Sequence, residues 1–204
     1  MTFGTSPSHY PAPMAPLDPV GSTLLKAASD LLAAEGPGAL TVRRIANSAG
    51  VSTMNVYSRF GGKDGVVEHL FIEGFTRLAE GMRVVVETDD PIADMMACGL
   101  SYRQFAIENP TLYSVMFDRV VPDYEPTTEA QMIAGSTLEL LASRIERAMQ
   151  AGVLRPADPI HTAALVWATC HGVVSLEQKA VGPNKIDWPA VYTSALGMIV
   201  HGLA

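Results

Sequence analysis

The 23-residue segment Thr41–Lys63, TVRRIANSAGVSTMNVYSRFGGK, gathers the side chains best suited to meet a polyanion. Arg43, Arg44, Arg59 and Lys63 give it a charge of +4 with no acid, whereas residues 64–204 carry −9 and the whole chain −7. A small basic island on an acidic body suits local contact with a polyanion while the remainder is held off. Hydroxyl and amide groups from Thr41, Ser52, Thr53, Asn55, Tyr57 and Ser58 are interleaved with these charges. Groups of this kind position phosphates and read base edges. The plainer alternative is a solvated basic face, and charge alone does not separate the two.

Two short helices, at about 42–48 and 53–60, hold these groups. Thr41 caps the first, whose inner face is Val42, Ile45 and Ala46. Ala49-Gly50-Val51 makes a tight turn in which Gly50 permits positive φ and Val51 plugs the space between the helices. Ser52 caps the second helix, with Val56 and Phe60 inward. Thr53, Met54, Asn55, Tyr57, Ser58 and Arg59 remain outside, and Tyr57, next to buried Val56, suits a phosphate better than the core. Two short helices around a small-residue turn form a helix-turn-helix, whose second helix can enter a major groove.

Catalytic chemistry finds less support. Cys170 and His171 are adjacent and point in different directions on a helix, the wrong geometry for a nucleophile and its base. His161 and His171 stand ten residues apart, too far for one metal ion, and Asp89-Asp90 reads as a helix terminus. Cys98 and Cys170 are too few for a disulfide framework or a thiolate metal site. No phosphate loop is present. The expectation is a protein without enzymatic activity, cofactor or metal.

Length and composition set the wider frame. The 204 residues are 48% hydrophobic and 17% charged, a globular balance with enough chain for a substantial core. No apolar run approaches the roughly 18 residues of a membrane span, and no basic-then-apolar leader opens the chain. A reduced, cytoplasmic protein fits best. Residues 1–17, with Pro7, Pro11, Pro13 and Pro16, read as an extended arm. The rest is helical in pattern. Asp18-Pro19, Asp90-Pro91 and Asp158-Pro159 each set a capping carboxylate before a proline at the first helical position, and Asp187-Trp188-Pro189 is a close variant. Thr128 with Gln131 reads as a capping box. Gly36, Gly152 and Gly182-Pro183 fall where helices should stop. The apolar period predicts helices at about 19–35, 63–87, 91–108, 110–118, 129–151, 159–181 and 188–203 beside the short pair. The long one carries Val67, Leu70, Phe71, Phe75, Leu78, Met82 and Val85 inward. The fold class is all-α, with about nine helices.

Against this frame the chain resembles the tetracycline-repressor (TetR) family of bacterial one-component regulators. The matching residues are Leu24-Leu25-Lys26-Ala27-Ala28, Ala34-Glu35-Gly36, Thr41-Val42-Arg43-Arg44-Ile45-Ala46, Ala49-Gly50-Val51-Ser52, Tyr57, Phe60 and Lys63, within about residues 20–75. The resemblance implies that Thr53, Met54 and Asn55 face bases while Thr41, Arg43, Arg44, Tyr57 and Lys63 serve the DNA backbone, with Ser52 and Ser58 beside them. Lys63 would lie near phosphate at a helix N-terminus, where the dipole also favours an anion. There are departures. The run Tyr57-Ser58-Arg59-Phe60 lacks the family's frequent aromatic pair, Gly61-Gly62 and Asp64-Gly65 look like a loosened start to the long helix, and the arm lacks minor-groove arginines.

The remainder resembles the family's effector-binding half. Trp167, His171 and Gly172 form W-x-x-x-H-G, similar to the WHG-type C-terminal domain of some members, and Asn109-Pro110 followed by Tyr113, Met116 and Phe117 agrees with it. Gly172 in mid-helix costs about 1 kcal/mol relative to alanine, which close approach of a helix or ligand would justify. Phe71, Phe75, Met96, Tyr102, Phe105, Tyr113, Met116, Phe117, Trp167 and His171 are candidate ligand contacts. Met95 and Met132 belong to the same apolar set. Each could instead be core, and His171 a satisfied structural histidine.

The family likeness thus implies residues 18–64 as a DNA-binding domain and 65–204 as a ligand-binding and dimerisation domain. The expected protein is a homodimeric repressor on double-stranded, palindromic operator DNA, released by a small hydrophobic effector. Val174, Leu176, Val191, Leu196, Ile199 and Val200 are candidates for the dimer interface. A helical ligand-binding protein or scaffold without specific DNA binding is the competing reading, and activation is not separable from repression.

Overall fold

The computed structural model describes residues 16–180, 182–183 and 185–204. The expected arm therefore lies outside the described residues up to residue 15. The helix expected over 159–181 ends earlier, at Gln178, where Lys179 is the C-cap and Ala180 takes a φ of +48° that breaks the helix.

Among the described residues there are nine α-helices and one 3₁₀ turn. They are α1 (Pro19–Glu35), the turn Pro37–Ala39, α2 (Val42–Ser48), α3 (Thr53–Phe60), α4 (Lys63–Arg83), α5 (Pro91–Glu108), α6 (Pro110–Phe117), α7 (Thr128–Gln150), α8 (Pro159–Gln178) and α9 (Trp188–Leu203). The Asp-Pro signals act as their chemistry requires. Asp18 accepts from the Gly21 amide at 2.7 Å, Asp90 from Ile92 and Ala93, Asp158 from His161 at 2.8 Å and Asp187 from Ala190 at 3.1 Å. Asn109-Pro110 divides α5 from α6, because proline disfavours helical backbone in the residue before it.

Three boundary expectations need correction. The long helix stops at Arg83, not 87, and Val85 lies beyond it, half-buried. Val84-Val85-Val86 is a β-branched run of low helix propensity. The Met82 and Val85 carbonyls are taken instead by Arg144 Nη2 at 2.9 and 2.7 Å. At α7 the cap is Thr127, one residue earlier than expected. Its Oγ1 accepts from the Ala130 amide, and Gln131 donates to the Pro126 carbonyl instead of closing a capping box. Ser52 holds the N-cap position of α3 without a side-chain bond to the helix backbone; its Oγ accepts from Asn55 Nδ2 at 3.1 Å.

The first three helices pack on one another, and α1 and α3 also pack against α4. With its 21 residues, α4 extends about 30 Å and joins the remaining body, where α5, α6 and α7 pack on it and α8 and α9 pack together. A continuous apolar core runs through both halves, from Leu24, Ile45 and Val56 through Leu70 and Phe75 to Ile145, Val174 and Leu196.

Candidate nucleic-acid interface and internal cavity

Burial of Ile45 and Ala46 on α2 and of Val56 and Phe60 on α3 fixes which faces look outward. Thr41, Arg43, Arg44, Ser52, Thr53, Met54, Tyr57 and Ser58 are exposed, and Asn55 and Lys63 partly so. Thr41 Oγ1 accepts from the Arg44 amide at 3.3 Å and caps α2. The expected contact residues are therefore left open to solvent, wholly or in part, at and around the helix pair and at the first residue of α4. Several are held by intramolecular partners. Arg44 Nη2 lies 2.5 Å from Glu35 Oε1, and Lys63 lies 3.6 Å from Asp64. Arg59, expected outside with the others, is drawn back. Its Nε and Nη2 donate to the two Asp18 oxygens at 2.9 and 2.6 Å, and its Nη1 donates to Asn55 Oδ1 at 2.9 Å. The Arg59 bond holds the Asp18 carboxyl at about 2, below its ordinary value.

The glycines after α3 make a tight corner, which corrects the expectation of a loosened start to α4. Gly61 and Gly62 take φ of +70° and +142°, and a Cβ on Gly65 would stand 1.7 Å from the Phe60 carbonyl oxygen. Close backbone contact thus couples the end of α3 to the start of α4. His69, one turn further, donates from Nδ1 to the Gly65 carbonyl at 2.7 Å and packs edge-on to Phe60.

Further along α4, Phe75, Leu78 and Met82 form one wall of a cavity of about 270 Å³. Met95, Cys98, Gly99 and Tyr102 of α5, Phe117 of α6, Ala134, Gly135, Thr137, Leu138 and Leu141 of α7, and Val166, Trp167 and Cys170 of α8 complete it. None of these side chains is charged. Burial pushes the Cys98 thiol up to about 11, so it contributes as a small apolar group.

Of the ten expected ligand contacts, Phe75, Tyr102, Phe117 and Trp167 reach the cavity wall. The other six do not. Phe71 packs on Phe75 and Tyr124, Met116 fills the space over Gly74, Phe105 is buried, and Met96 packs partly buried at the core edge. Tyr113 and His171 stand behind the wall. Trp167 Nε1 donates to Tyr102 Oη at 3.3 Å, Tyr102 and Tyr113 hydroxyls are 3.0 Å apart, and Tyr113 Oη lies 2.7 Å from His171 Nδ1. Burial depresses the His171 pKa, and raises that of Tyr113 to about 12. Met95 reaches the cavity, whereas Met132 is 56% exposed. The missed α7 wall follows an i, i+3, i+4, i+7 stripe at 134, 137, 138 and 141, a period that marks a buried face without telling lining from core.

Val174, Leu196 and Val200, expected at a partner surface, are buried within the subunit, with Leu196 packed over Gly99. Leu176 and Val191 are exposed, and Ile199 is half-buried.

A helix-turn-helix joined by one long helix to an all-helical body with an apolar cavity is the build of a DNA-binding regulator. Residues 24–70 match the family model described as "Bacterial regulatory proteins, tetR family", and residues 95–199 match "Tetracyclin repressor-like, C-terminal domain". The chain belongs to the TetR family of transcriptional regulators. No curated protein sequence matches it. Solved structures share the fold. A protein of unknown function from Rhodococcus sp. RHA1 aligns with TM-score 0.80 at 24% identity, over 95% of this chain and 99% of that one. The fatty acid degradation regulator FadR from Bacillus halodurans aligns with TM-score 0.75 at 20% identity, over 93% and 98%. PfmR from Thermus thermophilus, a TetR family transcriptional regulator, aligns with TM-score 0.70 at 18% identity, over 89% and 98%. Among the described residues no helix is long and apolar enough to cross a membrane.

Proposed function

We propose that the protein is a homodimeric repressor whose operator affinity is lowered by a small, uncharged, mainly apolar effector bound in the internal cavity. One observation carries this reading: α4 belongs to both sites. Its first turns pack against α3 through Gly65 and His69, and its later turns supply Phe75, Leu78 and Met82 to the cavity. A ligand that spreads those walls moves the helix on which the reading head is mounted. Residues 18–64 then serve as the DNA-binding unit and 65–204 as the sensing and dimerising unit. The ligand acts by binding the DNA-incompetent arrangement better, and operator DNA weakens the ligand to the same degree.

The chemistry of the effector follows from the wall. No charged side chain lines the cavity, and the Tyr102 hydroxyl already has hydrogen-bond partners. An ionised group buried there would lack a counter-charge, which is costly. Support for the dimer comes from the outer faces of α8 and α9. Leu165, Leu176, Val191 and Met198 are exposed there, and a Cβ on Gly172 or Gly202 would meet nothing within 4 Å. A second copy approaching those glycines closely would account for Gly172 in mid-helix. Two reading heads related by two-fold symmetry engage a palindromic operator.

The test is a ligand screen on operator-bound protein, using small uncharged aromatic and alicyclic compounds. Binding is read by Trp167 fluorescence and by a rise in Tm. Compounds that raise Tm are expected to release the operator, and operator is expected to weaken their binding equally. Compounds that bind in the cavity yet leave operator affinity unchanged would refute the coupling.

A further inference from the structure

The reading helix α3 offers a narrow choice of chemistry to a major groove. Of its eight residues, Val56 and Phe60 are buried in the subunit. Bidentate pairing to guanine needs Arg or Lys, to adenine Asn or Gln, and cytosine's amino group is accepted by Asp or Glu. The helix contains two such residues, Asn55 and Arg59, and both are engaged elsewhere. Asn55 spends its amide on Ser52 Oγ at 3.1 Å and its carbonyl on Arg59 Nη1 at 2.9 Å. Arg59 is clamped by both oxygens of Asp18 at the head of α1. What remains outward is Thr53, Met54, Tyr57 and Ser58. Three are hydroxyls, which bond to phosphates or to several bases without strong choice. Met54 is the exception: a flexible apolar side chain, 69% exposed at the second position of the helix.

We propose that Met54 is the specificity-determining residue of the reading head and that it selects thymine through the C5-methyl group. This rests on the regulator reading above. The thymine methyl is the one apolar feature that distinguishes a base pair in the major groove, and a thioether chain can cover it and remove both surfaces from water. The Asp18–Arg59–Asn55 chain contributes by keeping the two polar readers away from bases, so that purine recognition does not compete. The same chain ties α3 to the N-cap of α1.

Duplexes selected from a random pool by the full-length protein supply the operator. Each thymine is then replaced singly by deoxyuridine, which removes the methyl and keeps every base-edge hydrogen bond. Wild-type protein is expected to lose about fourfold in affinity at one thymine per half-site, the worth of one buried methyl, and about fifteenfold when both half-sites are changed. In Met54→Ala and in Met54→Gln the thymine and uracil operators are expected to bind alike, although Met54→Ala binds the thymine form more weakly than wild type does. Because Met54 is exposed, both variants keep the wild-type Tm. An operator indifferent to every uracil replacement overturns the proposal, as does methyl sensitivity that persists in both variants. Recovery of no duplex at all overturns the regulator reading beneath it, a result distinguishable from the other two.

Discussion

Arg44 and Lys63 each carry a carboxylate neighbour in the free protein, Glu35 at 2.5 Å and Asp64 at 3.6 Å, and both pairs are solvent-exposed. Exposed single-contact pairs, unlike the two-oxygen grip of Asp18 on Arg59, contribute about 0–1 kcal/mol, so a phosphate can replace the carboxylate at small cost. Arg44→Ala and Lys63→Ala are expected to weaken operator binding and to reduce the slope of log K against log salt by about 0.9 for each phosphate no longer neutralised. Titrations at several salt concentrations measure this, with light scattering to show the oligomeric state unchanged; a slope equal to wild type removes these residues from the backbone contacts. His171 makes a different prediction. Neutral imidazole accepts the Tyr113 hydroxyl at Nδ1, which lets Tyr102 donate to Tyr113 and Trp167 to Tyr102 in one direction. Protonation turns Nδ1 into a donor and breaks that order. Burial depresses the folded pKa from its ordinary 6.5, so the unfolded chain takes up the proton first as pH falls. Stability is full above about 6.5, declines below it and levels off once the folded histidine protonates as well. Tm measured between pH 7.5 and 5 is expected to fall less in His171→Phe than in wild type; equal falls would place the titration elsewhere. At this scale the outward set on α2 and α3 was legible, because burial at i, i+3 and i+4 leaves the other positions outside. The withdrawal of Arg59 was not, since its partner Asp18 lies 41 residues away and reads in sequence as a helix cap alone.

Element boundaries were legible where a local chemical signal sets them. The Asp-Pro pairs name their helices outright, since cap and first turn involve residues within three of each other. The end of α4 was not, because Arg144, on α7, takes the carbonyls that a longer helix would have used. The apolar stripes of α4, α5 and α7 were readable as buried faces, yet the same stripe serves a core and a cavity wall. That is why four of the ten expected ligand contacts reach the cavity. The α3–α4 corner shows the reverse case, in which a glycine that looks like a weak helix start is a packing requirement. Gly65→Ala puts a methyl 1.7 Å from the Phe60 carbonyl oxygen, a clash with backbone that cannot rotate away. The expected result is a loss of about 1–3 kcal/mol of stability together with a large drop in operator affinity, while the dimer and ligand binding persist. Chemical denaturation and operator titration check it; near-normal operator affinity would show that the corner does not couple the two helices.

Across the whole molecule, charge and apolar surface are divided by task. The +4 segment at 41–63 belongs to the helix-turn-helix half, and the −9 of residues 64–204 falls on the rest of the body, a division that suits local contact with a polyanion. The exposed apolar side chains of α8 and α9 lie in the other half of the chain, where a second copy can cover them. Leu165→Asp combined with Met198→Asp is expected to give a folded monomer that binds operator at least tenfold more weakly. Light scattering beside operator titration tests this, and a dimer that survives both charges would relocate the interface. Reading of one symmetric DNA site by a dimer is tested by incubating the purified protein with sheared genomic DNA of its source at moderate salt. The protein is first unfolded, dialysed and refolded to free it of carried ligand, and the bound fragments are then sequenced. Enrichment of one palindromic site at a promoter is expected. Fragments no more enriched than random DNA would show that the chain reads no specific site.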